Sequence, residues 1–331
     1  MLVQCGAAPA ATASKLVRAL GDAVPETTAG KQDERAPQET AHLLLALVAQ
    51  QTEEQLRQDA AVRAEQAEGV HKLRIAARRI RSAPHDLPDA ARAGGREPAA
   101  RGAALAGQAL GPARDAQVLR EHLDAVVDAE TPELVLGPVL RRIDAELGAA
   151  HRAGIEEARR VLDSERYFRL LDALDELVAV PPLTSRGHVA SRELVPRLLA
   201  QDDKKLRTAV RDVGRTEDPD SRDLAMHEAR KKAKRLRYAA ESAIPVFGKR
   251  AKSYSKKVKK LQTTLGLHQD SVVARGKLRE LGIQANLSGE NGFTFGRLHA
   301  LEEWRADRAE RDFYAAWDKL PAKKIRRWIR R

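Results

Sequence analysis

Two segments of the chain place a histidine at the head of a row of arginines and lysines. The first reads His71-Lys-Leu-Arg74-Ile-Ala-Ala-Arg78-Arg79-Ile-Arg81, and the second His227-Glu-Ala-Arg230-Lys231-Lys-Ala-Lys234-Arg235-Leu-Arg237. A helix turns about 100° per residue, so positions i, i+3, i+7 and i+10 share one stripe. His71, Arg74, Arg78 and Arg81 occupy that stripe in the first segment; His227, Arg230, Lys234 and Arg237 occupy it in the second. Leu73, Ala77 and Ile80, and likewise Ala229, Ala233 and Leu236, fall opposite, where they can face a core. A third row, Lys249, Lys252, Lys256 and Lys259, has the same spacing, with Tyr254, Val258, Leu261 and Leu265 as its apolar seam. Like charges one turn apart cost an isolated helix on the order of a few tenths of a kcal/mol per pair. A long polyanion offsets that cost, because its closely spaced phosphates meet successive cations and release counterions. Arginine offers a planar fork to phosphate oxygens and lysine a point charge. A histidine in the row gains a proton near neutral pH when a phosphate lies beside it.

The elements that must carry these residues repeat. The two histidine segments are 156 positions apart, and Leu110-Gly111-Pro-Ala-Arg114-Asp115 matches Leu265-Gly266-Leu-His-Gln269-Asp270 at an offset of 155. Matched motifs at nearly one offset indicate a duplicated, domain-sized unit rather than a short solenoid period. The apolar spacing is helical throughout. Helices are expected over 38–66, 69–83 (stopped near Pro84), 98–129 (broken near Gly111-Pro112) and 132–178. In the second half they are expected over 189–213, 222–243, 248–281 and 293–318. The resulting division is a poorly ordered segment 1–36, a first helical-bundle repeat 37–179, a linker 180–188, a second repeat 189–318 and a basic tail 319–331.

Composition agrees with an all-α chain. Aromatics are only 4% of the 331 residues, while Ala, Leu and Arg abound; these favour helix over a sandwich or barrel. The single cysteine excludes a disulfide framework and a cysteine-based zinc site. No apolar run reaches membrane-spanning length, and only four residues precede Cys5, too few for a secretory or lipoprotein signal. A soluble cytoplasmic protein is expected. The net charge of +12 is unevenly spread: residues 226–264 carry thirteen basic and two acidic side chains, whereas 121–179 carry seven basic and fourteen acidic. Such clustering suits a polyanion-binding surface.

With these motifs in the order found, the sequence resembles the CHAD family, the conserved histidine α-helical domain, over roughly residues 38–318. The resemblance rests on the two histidine helices, the second continuing into Tyr238, and on the two Leu-Gly elements ending in Asp115 and Asp270. It implies two duplicated four-helix bundles related by pseudo-two-fold symmetry around a basic groove or pore. It implies non-catalytic binding of inorganic polyphosphate, with association to polyphosphate granules and their proteins, and no cofactor or metal. Carried over residue by residue, the polyphosphate-binding set is His71, Arg74, Arg78, Arg79, Arg81, His227, Arg230, Lys234 and Arg237, flanked by Lys231 and Arg235. Lys252, Lys256 and Lys259 rest on the stripe argument. Arg114, Asp115 and Asp270 are expected to orient basic side chains rather than touch an anion. The first half departs from the pattern at Pro84 and Pro88, and Glu97 stands where the second half has Lys252. The second half should therefore supply more of the surface.

Two rival functions remain open. A general polyanion or nucleic-acid-binding protein is compatible with the charge, although the few aromatics do not interleave with the basic stripes as stacking platforms would. A phosphohydrolase acting on polyphosphate could be read from His85-Asp86, but no matching set of metal ligands, P-loop or paired-carboxylate framework accompanies that pair. Asp202-Asp203 and Glu302-Glu303 read as helix surface.

Overall fold

The computed structural model describes residues 39–64, 66, 68–86, 93–180, 183–320 and 329. The segment 1–36 and most of the basic tail lie outside these residues, as do the side chains of His85, Asp86 and Glu97. Helices account for the described architecture: α1 (Thr40–Arg63), α2 (Gly69–Asp86), α3 (Ala93–Ala109), α4 (Gly111–Asp128), α5 (Val139–Leu162), α6 (Glu165–Ala179), α7 (Ser191–Val213), α8 (Pro219–Ser242), the single turn α9 (Ile244–Phe247), α10 (Lys249–Leu287) and α11 (Phe293–Asp318). Short 3-10 turns occur at Pro132–Leu134 and Ser185–His188. Pro37–Arg331 form one compact unit. Among the described residues, the fold is all-α, with an isolated antiparallel bridge between Glu39 and Ala190.

Local chemistry explains the helix ends. Asp218 caps α8 by accepting from the Ser221 N–H at 2.8 Å, with Pro219 next in the chain; the missing proline N–H costs nothing at that position. The stretch expected as one helix over 132–178 divides at Asp163-Ser164. There the Ser164 hydroxyl accepts from the Tyr167 N–H at 3.4 Å and starts α6. The expected helix 98–129 divides into α3 and α4, whereas its counterpart α10 runs unbroken for 39 residues. Pro112 interrupts the ladder in the first half; the matching position in the second is Leu267, which donates normally. The first histidine helix continues past Pro84 to Asp86. The turns joining α4 to α5 and α10 to α11 each use a glycine with positive φ, Gly137 (82°) and Gly289 (72°), a conformation L-residues rarely adopt.

Burial sorts the core into three clusters. Residues of α1, α2, α3 and α6, with the ends of α4 and α5, build the first, including Leu73, Ala77, Ile80, Leu110 and Tyr167. Residues of α7, α8, α10 and α11 build the second, including Leu236, Tyr254, Val258, Leu261 and Phe313; Leu43 of α1 joins it. The third cluster draws on both halves. Leu123, Val126 and Val127 of α4 and Ile143 and Leu147 of α5 pack against Ala274, Leu278 and Leu281 of α10 and Phe295 and Leu298 of α11. Its rim is tied by polar contacts: the buried Thr294 hydroxyl donates to Leu134 O (2.9 Å) and accepts from Leu136 N–H (2.8 Å), and Arg297 donates to Glu130 (2.6 Å).

The apolar faces assigned to the histidine helices and to the Lys249–Lys259 row are buried as expected. Of the four carboxylates read as helix surface, Glu303 is exposed, but Asp202, Asp203 and Glu302 are only 5%, 2% and 0% exposed. Each is buried with polar partners, which charge requires. Asp203 accepts from the Tyr254 hydroxyl at 2.8 Å, Asp202 from Arg235 Nε at 3.0 Å, and Glu302 from Arg305 at 2.5 Å, with His122 Nε2 at 3.0 Å. Sequence spacing along one helix does not reveal a partner contributed by another.

Candidate anion-binding site

The two basic stripes, 156 positions apart in sequence, come together in space. Lys234 of α8 feels Arg78 and Arg74 of α2 as well as Arg230 and Arg237 of its own helix. Burial, reinforced by these four positive neighbours, pushes its ammonium down to about 7. Among the described residues Lys234 has no carboxylate partner at ion-pair distance. Arg78 is also held below the usual guanidinium range, by burial and by Arg74, Arg81 and Arg237; Tyr238 opposes this. Six cations, Arg74, Arg78 and Arg81 of α2 and Arg230, Lys234 and Arg237 of α8, thus share one site.

The Leu-Gly elements form its base. Arg74 lies over Gly111 and pairs with Asp115 one turn further along α4, at 2.6 Å and 3.5 Å for the two arms of the fork. Arg230 lies over Gly266 of α10 in the same way and reaches towards Asp270 at 3.9 Å. A Cβ on Gly111 would stand 3.9 Å from the Arg74 guanidinium, and one on Gly266 would stand 3.7 Å from that of Arg230. A methyl fits, but a longer side chain would take the guanidinium's place. The motif Leu-Gly-x-x-x-Asp is therefore a seat for an arginine. The seats differ in tightness, since the buried Nε of Arg230 has no hydrogen-bond partner among the described residues. Burial pushes the Asp270 carboxyl up, against the pull of Arg230, His122 and Lys234.

The histidines also differ. His227 Nδ1 lies 2.6 Å from the Gln269 amide oxygen, within hydrogen-bond distance. The residue matching Gln269 in the first half is Arg114. Burial, joined by Arg114, Arg78 and Arg74, holds His71 below its usual value; Glu68 opposes. At the other end of the site, Tyr238 lies under two arginines, with Arg237 4.6 Å and Arg79 5.8 Å from its ring centre. The same two arginines approach Glu241 at 3.4 Å and 3.7 Å. Tyr238 and Glu241 join α2 to α8 without themselves offering positive charge.

Arg81 forms the exposed edge of this cluster beside Arg78, and the other expected residues sit apart from it. Lys231 is exposed and paired with Glu228. Arg235 turns towards α7, held by buried Asp202. Lys252, Lys256 and Lys259 are exposed; helix geometry places them, with Gly266 and Asp270, within an arc of about 80° on α10. They therefore extend the same face towards the N-terminus of that helix. Asp115 meets Arg74 and Asp270 approaches Arg230, as expected for orienting groups. Gln269, Glu241 and the role of the two glycines were not singled out by charge or periodicity. The shared 155-residue offset of the Leu-Gly elements was the available signal.

A sequence profile of the CHAD domain matches residues 46–279, more than two thirds of the 331-residue chain. The chain belongs to the CHAD family. Two curated relatives from Mycobacterium tuberculosis, the uncharacterized proteins MT2285 (strain CDC 1551 / Oshkosh) and Rv2226 (strain ATCC 25618 / H37Rv), are each 37% identical over 327 residues. The match covers 96% of this chain and 60% of each relative, so the chain spans about three fifths of their length. Among solved structures, PptA from Streptomyces chartreusis superposes with a TM-score of 0.70 at 20% identity, over 85% of this chain and 99% of that one. The CHAD domain from the plant Ricinus communis gives a TM-score of 0.65 at 24% identity, over 88% of this chain and 94% of that one. Both likenesses are likenesses of fold. No helix among the described residues is long and apolar enough to cross a membrane.

Proposed function

We propose that this chain binds inorganic polyphosphate along the paired faces of α2 and α8 without cleaving it. The observation that carries the reading is Lys234, which is half-buried among four arginines from both halves and has no carboxylate at ion-pair distance among the described residues. A protein gains no stability from such a cluster. An anion that supplies several negative charges in a row relieves it, and a phosphate chain does so with oxygens that suit the guanidinium fork. The duplicated motifs, read as two copies of one helical unit, put one stripe on each side of the chain. Lys252, Lys256 and Lys259 extend the contact along α10. The proposed role is binding alone, with Asp115, Asp270 and Glu241, each within 3.9 Å of an arginine, read as groups that orient those arginines. Membership of the CHAD family supports the choice of polyphosphate, and a protein with this affinity would gather at polyphosphate granules.

The test is competition near physiological salt. Labelled long-chain polyphosphate is displaced by unlabelled polyphosphate, single-stranded RNA or duplex DNA, matched for total phosphate. Selective displacement by polyphosphate is the expected result. Equal displacement by nucleic acid would make the stripes a general polyanion surface.

A further inference from the structure

The two arginine seats are built alike and filled differently. Each glycine leaves similar room for a guanidinium: a Cβ on Gly111 would stand 3.9 Å from Arg74, and one on Gly266 3.7 Å from Arg230. Each aspartate stands one helical turn beyond its glycine, Asp115 on α4 and Asp270 on α10. Asp115 takes both arms of the Arg74 fork, at 2.6 Å and 3.5 Å. Asp270 stays 3.9 Å from Arg230, outside hydrogen-bond reach, and the buried Arg230 Nε has no hydrogen-bond partner among the described residues. A buried donor without an acceptor costs stability until an acceptor arrives. An anion oxygen at Arg230 removes that cost, whereas at Arg74 it must first displace a carboxylate already bonded there. The approach to the seats differs too. Lys252, Lys256 and Lys259 are exposed along the face of α10 that leads to Gly266, whereas the positions 155 residues earlier hold Glu97, Arg101 and Ala104. The halves meet at Arg79 of α2, which lies 3.7 Å from Glu241 and 5.8 Å from the Tyr238 ring centre of α8, so both seats serve one site.

Resting on the polyphosphate reading above, we infer that the two seats fill in order: Arg230 is an anchor open to any short phosphate oligomer, and Arg74 is a latch, held shut by Asp115, that opens only to a chain already anchored at Arg230. Asp115 is then a length-selecting residue. Tripolyphosphate takes the Arg230 seat and leaves the Asp115–Arg74 pair intact. A long chain held at Arg230 presents its further phosphates to Arg78 and Arg74 at high effective concentration, and these displace Asp115. Breaking that pair offsets part of what the longer chain gains. Asp270 has no such effect on length, because it borders the seat that short and long chains share.

The experiment is calorimetric titration of the full chain with tripolyphosphate and with long-chain polyphosphate near physiological salt, on wild type, Asp115→Asn and Asp270→Asn. Asp115→Asn should raise long-chain affinity about threefold more than it raises tripolyphosphate affinity, the worth of a part-exposed ion pair. Asp270→Asn should raise both affinities by the same factor, so that their ratio keeps its wild-type value. A merely structural role for Asp115 would not move that ratio. Should either asparagine disturb folding, NMR of the arginine Nε–H groups in the wild-type chain reads the order directly. The Arg230 signal, assigned with Arg230→Lys, is expected to shift with tripolyphosphate, and the Arg74 signal, assigned with Arg74→Lys, only with the long chain. A wild-type ratio in Asp115→Asn, or both signals shifting together with tripolyphosphate, overturns the order and leaves polyphosphate binding standing. No binding of either length to the wild-type chain overturns the reading on which the order rests.

Discussion

Arg230 and Arg235 stand five residues apart on α8, and the structure gives them opposite jobs. Arg235 Nε lies 3.0 Å from Asp202, whose residue is 5% exposed. Removing one member of a buried pair costs roughly 3–5 kcal/mol, because the other charge is left without an answer. Two features lower that figure here: about a quarter of the Arg235 side chain is exposed, and Lys205 remains 3.4 Å from Asp202. Arg235→Met should therefore cost about 2 kcal/mol, a fall in Tm of roughly 3 °C for a chain of this size. Polyphosphate affinity of the folded protein should change less than twofold. Adding Asp202→Asn should recover much of the lost stability, since the orphaned charge is gone. Arg230→Ala should do the reverse. Its guanidinium has a loosely held carboxylate and an unmatched Nε, so Tm should move by about 2 °C or less, while affinity drops on the order of tenfold, as for loss of one charge-assisted contact. Thermal melts by circular dichroism and binding titrations on the same preparations decide between them. Equal loss of affinity in Arg235→Met and Arg230→Ala, with both proteins folded, would refute this division of α8.

Affinity should rise with polyphosphate length until the α2, α8 and α10 stripes are filled, and log affinity should fall with log salt with a slope of roughly −4 for six engaged cations; equal affinity for tripolyphosphate and long chains would contradict an extended site. Gly154→Ala should lower stability by about 2 kcal/mol, read as a drop in Tm, because the added Cβ would stand 2.5 Å from the backbone nitrogen of Ala113 across the α4–α5 contact. The free protein should gain stability as pH rises from about 7 towards 10: the unfolded chain binds a proton there that folded Lys234, at about 7, does not. The slope is up to about 1.4 kcal/mol per pH unit for one group. Denaturant melts across that range should show this slope flattened in Lys234→Met.

The helices and their inward faces were readable because both follow from spacing along one chain. Leu73, Ala77, Ile80, Tyr254 and Val258 are buried as their period demands. What spacing could not supply was contact between helices. Asp202, Asp203 and Glu302 look like surface carboxylates until Arg235, Tyr254 and His122 arrive from elsewhere in sequence or space. Arg235 looked like a flanking phosphate ligand for the same reason. The pairing of α2 with α8 is long-range, and so is the depressed Lys234 it produces. The duplicated offset did expose Gly111, Asp115, Gly266 and Asp270 as a set, though not that the glycines seat arginines. The missed division at Ser164 is a capping event of one hydroxyl, too local to disturb the apolar period around it.

The third core cluster bears on how the two halves of the chain stay together. Leu123, Val126 and Ile143 are covered by α10 and α11, and Ala274, Leu278 and Phe295 are covered in return by α4 and α5. A cut within 183–190 would lay bare both faces at once, so neither fragment is an autonomous folding unit. The two fragments should be insoluble when produced separately and should reassemble when produced together. The interlock makes loss of cover mutual, since uncovering either apolar face uncovers the other.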